Sequence, residues 1–243
     1  MAVGAAEQVV QGALASPALE HFWAPSKSRP AGFVFQILPA PPAGAAAHLK
    51  RSLDVGVALG LLVVTAPVLA VVALLVRLDS AGPVVLRQER VGRDLRRFQM
   101  LKFRSMVPGA ERLQESVQHL NEANGPLFKI REDPRTTAVG RVLRRFSLDE
   151  LPQLVNVVRG EMSLVGPRPP FQNEVDEDQV RQRLRLRFTP GMTGLWQVSG
   201  RSELPYESML ELDFAYMRRW SPSTDLKILL RTLPAVIRGR GAC

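Results

Sequence analysis

The hydrophobic and polar positions divide the chain into three unequal stretches. Residues 1–47 carry Ala, Gly, Pro and Ser without a sustained period, including Pro39-Ala40-Pro41-Pro42-Ala43-Gly44, a composition that favours disorder or a loose tether. From Val55 to Val76 the chain has 22 residues without a charge, interrupted by Pro67 and flanked by Lys50, Arg51 and Asp54 before and Arg77 and Asp79 after. Beyond it the pattern is mixed. Pro83-Val84-Val85-Leu86 and Phe98-Gln99-Met100-Leu101-Lys102-Phe103 read as strands around a turn at Gly92-Arg93-Asp94, which predicts a small hairpin. Residues 108–123 read as a polar helix, and 138–145 as a short amphipathic one with Val139, Val142, Leu143 and Phe146 on one face. Further helices are predicted at about 150–159, 173–186, 205–219 and 223–238. The fold class is mostly α with a small β-hairpin (α+β).

The uncharged segment is long enough to cross a bilayer as a helix. Two features favour a different path. Pro67 removes a backbone donor in mid-segment, where a straight span would be most regular. Basic residues also lie on both flanks, with Arg87, Arg90, Arg93, Arg96 and Arg97 following Arg77, so the positive-inside tendency asks for both ends in the cytoplasm. A membrane helix that enters, turns at Pro67 and returns satisfies both. The expected organisation is a disordered segment over 1–47, a re-entrant membrane hairpin over 48–79 and a catalytic domain over 80–243. In that domain the Asp225–Ile237 segment places Leu226, Leu229, Leu230 and Leu233 on one face, as an interfacial helix would. The hydrophobic run begins far from Met1 and is followed by no small-residue cleavage site, so a secretory signal is not expected.

Composition narrows the partners. Lys and Arg number 32 against 23 acidic residues, a net charge of +9, which suits nucleic acid, anionic lipid or a phosphorylated substrate without choosing among them. The only cysteine is Cys243, which excludes an internal disulfide and a Cys-based zinc site and fits a reducing compartment.

The most informative stretch is Arg144-Arg145-Phe146-Ser147-Leu148-Asp149-Glu150-Leu151-Pro152-Gln153, where two carboxylates follow two guanidinium groups. Ser147-x-x-Glu150 matches a capping box, and acidic residues in a first turn complement a helix dipole. A carboxylate placed there can equally act as a nucleophile on phosphorus while its neighbour holds Mg²⁺ and the arginines neutralise phosphate oxygens. Both readings stand together. Gly166-Pro167-Arg168-Pro169 fixes Arg168 between prolines, either as a rigid surface loop or as a presented phosphate contact. Thr189-Pro190-Gly191-Met192-Thr193-Gly194-Leu195-Trp196-Gln197-Val198-Ser199-Gly200-Arg201 has three glycines and ends in an arginine, a weak signal for a ligand loop.

Five motifs occur together in one order: Lys50-Arg51-x-x-Asp54 before the Pro-interrupted run, Lys102-Phe103-Arg104-Ser105-Met106, Ser147–Gln153, Gly166–Pro169 and Pro190–Gly194. On these the chain resembles the bacterial sugar transferases, monotopic polyprenyl-phosphate hexose-1-phosphate transferases, over about residues 48–243. The resemblance implies transfer of a hexose-1-phosphate from a UDP-sugar to polyprenyl (undecaprenyl) phosphate, with UMP leaving first. It implies Asp149 as nucleophile, Glu150 as ligand of Mg²⁺, Arg144, Arg168 and Arg201 on phosphate or nucleotide, and Lys102 in the basic wall. It places the protein at the inner leaflet of the bacterial cytoplasmic membrane, with the site facing the cytoplasm, and points to the short type that starts exopolysaccharide chains with galactose or glucose. Ala66-Pro67 stands where the family has Ser-Pro, which removes a hydroxyl from the break and leaves Thr65 to substitute. A basic nucleic-acid-binding protein or a non-catalytic membrane scaffold would share the charge. No helix-turn-helix, zinc or aromatic single-strand platform supports nucleic acid as a partner, and the acidic pair with its arginines speaks against a scaffold. A homodimer is left open.

Overall fold

The computed structural model describes residues 40–122, 126–175, 184–201 and 204–239, so most of the 1–47 segment, most of the 173–186 helix and Cys243 lie outside the described residues. Helix α1, Gly44–Asp79, is a single element of 36 residues. It starts ahead of residue 48 and continues through Pro67, which costs one backbone hydrogen bond but does not end the helix. The Thr65 hydroxyl bonds Leu61 O at 2.7 Å. That carbonyl is not the one Pro67 frees, which belongs to Val63 four residues back.

Strands β1, Val85–Val91, and β2, Arg97–Phe103, form the expected antiparallel hairpin with Val85 opposite Phe103 and Val91 opposite Arg97. The first strand runs later than Pro83–Leu86, and the turn closes with Asp94 and Leu95 at positive φ. Helices α2, Ala138–Arg145, and α3, Gln153–Arg159, follow, then β3, Ser163–Val165, paired in parallel with β4, Gly191–Thr193. The chain ends in α4, Leu195–Ser199, α5, Tyr206–Arg218, and α6, Pro222–Arg238. Residues 108–123 are not the expected helix: turns lead into a 3₁₀ helix at Glu115–Leu120 whose only buried residue is Val117. Among the described residues of that stretch the apolar positions are too few to anchor an α-helical face.

The core lies under β2, α3, α5 and α6, with Leu154, Val157, Met162, Val165, Leu195, Tyr216 and Ile228 almost fully enclosed. Gly166 and Gly191 let the two short parallel strands meet: a Cβ on Gly191 would lie 2.0 Å from Gly166 N, and one on Gly166 2.5 Å from Thr189 O.

Both ends of α1 are fastened to this one domain. At its start Arg51 donates to Val157 O and Val158 O at 2.5 and 2.7 Å. Asp54 accepts from Ser163 Oγ and Leu164 N, and Lys50 Nζ reaches Val165 O at 3.1 Å and Asp225 at 2.7 Å. At its end Arg104 donates to Val76 O, Ser80 O and Pro83 O, while Val72 and Val76 pack on Phe103 and Leu143. The outward face between these anchors is bare: Val63 and Val64 are each 75% exposed. Leaving such side chains in water costs about 1.5–3 kcal/mol apiece, so the face calls for an apolar cover. On α6, Leu226, Leu230, Leu233 and Ile237 are also exposed, while Leu229 turns inward to the core. The α2 face divides in the same way, Leu143 buried and Val142 and Phe146 exposed.

Candidate functional site

Helix α2 opens on a true cap, the Thr137 hydroxyl accepting from Gly140 N at 3.0 Å, and closes at Arg145. The chain then reverses through Ser147, whose φ of 52° is unusual for a residue with a Cβ. This kink, and not a capping box, starts the acidic pair. Ser147 makes no side-chain cap, and the 3₁₀ turn Leu148–Glu150 that follows directs Asp149 inward and Glu150 toward Lys102. The Ser147 hydroxyl instead accepts from Arg201 Nη2 at 3.3 Å. Strand β2 is held in place for this by Asn156 of α3, fully buried, which accepts from Leu101 N at 3.0 Å and donates to Gln99 O at 2.8 Å. Lys102, next along the strand, thereby reaches Glu150 Oε1 at 2.9 Å.

Asp149 is buried and faces a cleft of about 400 Å³. Lys102, Arg144, Glu150, Arg168 and Arg201 all line it, so every residue singled out for the site from sequence reaches one cleft. Their engagements differ. Arg144 donates to Thr136 Oγ1 at 3.1 Å. Arg168 is bidentate to buried Glu174 at 2.7 and 3.2 Å, and its carbonyl accepts from Arg185, so much of its charge is already matched. Arg201 sits at a φ of 53° with Nη1 buried and unpartnered.

Arg90 was not read from sequence as a site residue. It is buried in the cleft wall, stacked 3.2 Å from the Phe171 ring centroid and bonded to Pro169 O and Gln88 Oε1. Burial, together with repulsion from Arg168, lowers its pKa to about 9 against the opposing pull of Glu174 and Glu150. Its position in the inward phase of β1 resembles a strand core residue, and only the partners brought by Pro169 and Phe171 reveal its place. Trp196, Gln197 and Tyr206 also line the cleft.

The two carboxylates are driven apart. Burial raises the Asp149 pKa above the ordinary 3.8, with Glu150 adding to the rise and Lys102 and Arg144 opposing it. For Glu150 burial pushes upward too, but Lys102, by charge and hydrogen bond, with Arg201 and Arg90, overcomes it and holds the group below its ordinary value. A buried carboxyl beside a more exposed, ionised one, inside a ring of fixed cations, suits attack on a polyanionic phosphorus centre. No group of three or more acidic, His or Cys side chains with metal-site geometry occurs among the described residues. Mg²⁺ of the kind that takes one or two carboxylates and completes its shell with substrate phosphates and water still fits this donor set.

Fold and cleft thus define a mostly helical domain that carries one long apolar helix and an acidic pair in a cation-lined cleft. The chain belongs to the bacterial sugar transferase family, whose pattern it matches over residues 45–239. It is similar to galactosyl transferase CpsE of Streptococcus agalactiae serotype III (strain NEM316), 43% identical over 195 residues that cover 79% of this chain and 43% of that protein. It is similar to exopolysaccharide production protein ExoY of Sinorhizobium fredii (strain NBRC 101917 / NGR234), 40% identical over 197 residues covering 79% of this chain and 87% of that protein. A third relative, undecaprenyl-phosphate galactose phosphotransferase of Salmonella typhimurium (strain LT2), is 42% identical over 204 residues, 80% of this chain and 41% of its own length. The chain therefore spans less than half the length of two of these relatives.

Proposed function

We propose that this protein transfers a hexose-1-phosphate from a UDP-sugar to a polyprenyl phosphate in two displacements at Asp149, an early membrane step of exopolysaccharide or related glycoconjugate synthesis. The observation that carries the reading is the inward-facing Asp149 carboxyl in a cleft walled by Lys102, Arg90, Arg144 and Arg201. The name of one relative, an undecaprenyl-phosphate galactose phosphotransferase, supports the lipid phosphate acceptor and the sugar that is moved.

In the first displacement an Asp149 oxygen attacks the β-phosphorus of the donor. The bond from that phosphorus to the bridging oxygen breaks, its electron pair leaves with UMP, and a phospho-sugar ester remains on Asp149. In the second, a phosphate oxygen of the lipid attacks the same phosphorus and the Asp149 carboxylate leaves. Lys102 and the arginines hold the phosphate oxygens and oppose the charge that builds on them. Glu150, whose bond to Lys102 engages Oε1, would hold Mg²⁺, and the ion would supply further neutralisation of the diphosphate.

The fastening of both ends of α1 to one domain supports a segment that enters and leaves the membrane on the same side, because a straight crossing would carry Asp54 and Val76 about 33 Å apart, a full hydrocarbon thickness. The exposed apolar faces of α1 and α6 would lie in the inner leaflet, with the cleft open to the cytosol. The donor sugar is galactose or glucose. Purified protein with labelled UDP-galactose and UDP-glucose should move label to undecaprenyl phosphate from one of them, and exhaustive chelation should abolish transfer, with Mg²⁺ restoring it. Transfer from neither donor, or full activity after chelation, would contradict the corresponding half of the reading.

A further inference from the structure

Five buried side-chain polar atoms among the described residues lack a hydrogen-bond partner: Arg90 Nε, Arg185 Nε, Trp196 Nε1, Gln197 Oε1 and Arg201 Nη1. Arg185 Nε is accounted for, since it lies 2.8 Å from Asp213 Oδ2. The other four belong to residues that line the cleft. Three of them come from α4 and the two residues after it. Folded proteins seldom leave a buried donor or acceptor unmatched, and several on one short segment beside a reacting centre mark a place where a ligand completes the bonding.

Backbone constraints hold this segment in its unusual position. Gly194, which precedes α4, has no room for a Cβ, which would fall 2.5 Å from Gly166 O and 2.7 Å from Gln197 Oε1. Gly200 and Arg201, which follow it, both have positive φ. Such strain persists where surrounding structure enforces it and concentrates at ligand sites.

Two of the four unmatched atoms, those of Trp196 and Gln197, differ in chemistry from the rest of the cleft. Lys102, Arg144 and Arg90 offer charge, whereas Trp196 Nε1 is a neutral donor and Gln197 Oε1 a neutral acceptor. We propose that Trp196 and Gln197 read the hexose ring of the donor, Nε1 donating to one ring hydroxyl and Oε1 accepting from another. This rests on the UDP-hexose reading above. Position selects the hexose over the base. Arg201 Nη2 is 3.3 Å from Ser147 Oγ, two residues from Asp149, and its charge acts on Glu150, so the segment abuts the acidic pair. With the β-phosphorus at Asp149, the hexose is joined to the reacting atom through one oxygen. The uracil lies beyond a second phosphate and a ribose.

Trp196→Phe removes the unmatched Nε1 with part of the ring, and Gln197→Leu removes the unmatched Oε1 together with Nε2, each keeping most of the side-chain volume. Both variants should lower kcat/KM for the UDP-hexose by about tenfold or more, the loss expected when a substrate hydroxyl is buried without its partner. They should also change the preference between UDP-galactose and UDP-glucose, and leave competitive inhibition by UMP, which has no hexose, unaltered. The melting temperature of the ligand-free protein should fall only by what the lost packing of the Trp196 ring on the core accounts for, since Nε1 and Oε1 themselves bond nothing in the folded state. Parallel weakening of UMP inhibition would assign the segment to the nucleotide and overturn the proposal. So would a lowered melting temperature with kcat/KM and donor preference intact, the mark of a structural role. Wild-type protein that uses no UDP-hexose would contradict the donor reading itself, whereas unchanged donor kinetics in variants of an active enzyme would contradict only the assignment of Trp196 and Gln197.

Discussion

Lys102 stands between the two carboxylates in influence: it holds Glu150 directly at 2.9 Å and offsets the burial that lifts Asp149. A nucleophile must be ionised, so the acid limb of kcat/KM for UMP release should follow Asp149 in the free enzyme and lie above pH 3.8, activity falling as the pH drops through the raised value. Lys102→Met removes the strongest opposing charge and should move that limb to higher pH, besides lowering the plateau. A limb that shifts to lower pH, or does not move, would mean that another group governs it. The sign for stability runs the other way. A carboxyl whose folded pKa is raised binds its proton more tightly when folded, so it favours the fold at acid pH and costs stability as the pH rises from 3.8 through the folded value. At this scale Asp149 and Glu150 were legible in sequence as an acidic pair after two arginines. The Ser147-x-x-Glu150 capping box was not what forms, because Lys102 and Arg201, 48 and 54 positions away, take the side chains a local cap would need. Arg90, Trp196 and Gln197 were opaque for the same reason.

Elements with a strong local period were readable. Helix α2 falls on 138–145 as its apolar spacing requires, the hairpin forms around Gly92-Arg93-Asp94, and α5 and α6 lie within a few residues of expectation. The stretch 108–123 failed, since its polar period had no apolar face to bury and settled as turns. The parallel β3–β4 pair was missed because each strand has three residues, and its signal was the glycines at 166 and 191, whose need appears only when the strands meet. Lys50, Arg51 and Asp54 stood out in sequence as the charged flank of the apolar run, and Arg104 only through family resemblance. Their work is mechanical: they fix the two ends of α1 to α3, β3, α6 and the hairpin, through contacts that for Arg51 and Asp54 span more than 100 positions.

That double attachment sets the arrangement of the whole molecule. With Cys243 replaced and single cysteines introduced as Ala45→Cys or Leu95→Cys, a membrane-impermeant thiol reagent should label neither site in intact spheroplasts and both after lysis. Labelling of position 45 alone in intact cells would mean a helix that crosses. Pro67→Leu restores the missing backbone bond and should shift part of the population toward crossing. If both ends stay inside, the flanking charges and the anchors at Lys50–Asp54 and Arg104 set the topology without it. The central claim, covalent transfer through Asp149, has a more direct test. Incubated with its UDP-hexose and no lipid, the protein should release UMP up to one equivalent and gain the mass of a hexose phosphate at Asp149, and undecaprenyl phosphate should then discharge it. Asp149→Asn should do neither, although at neutral pH it should melt no lower than the wild type. UMP release that requires the lipid, or an adduct that survives in Asp149→Asn, would contradict the account.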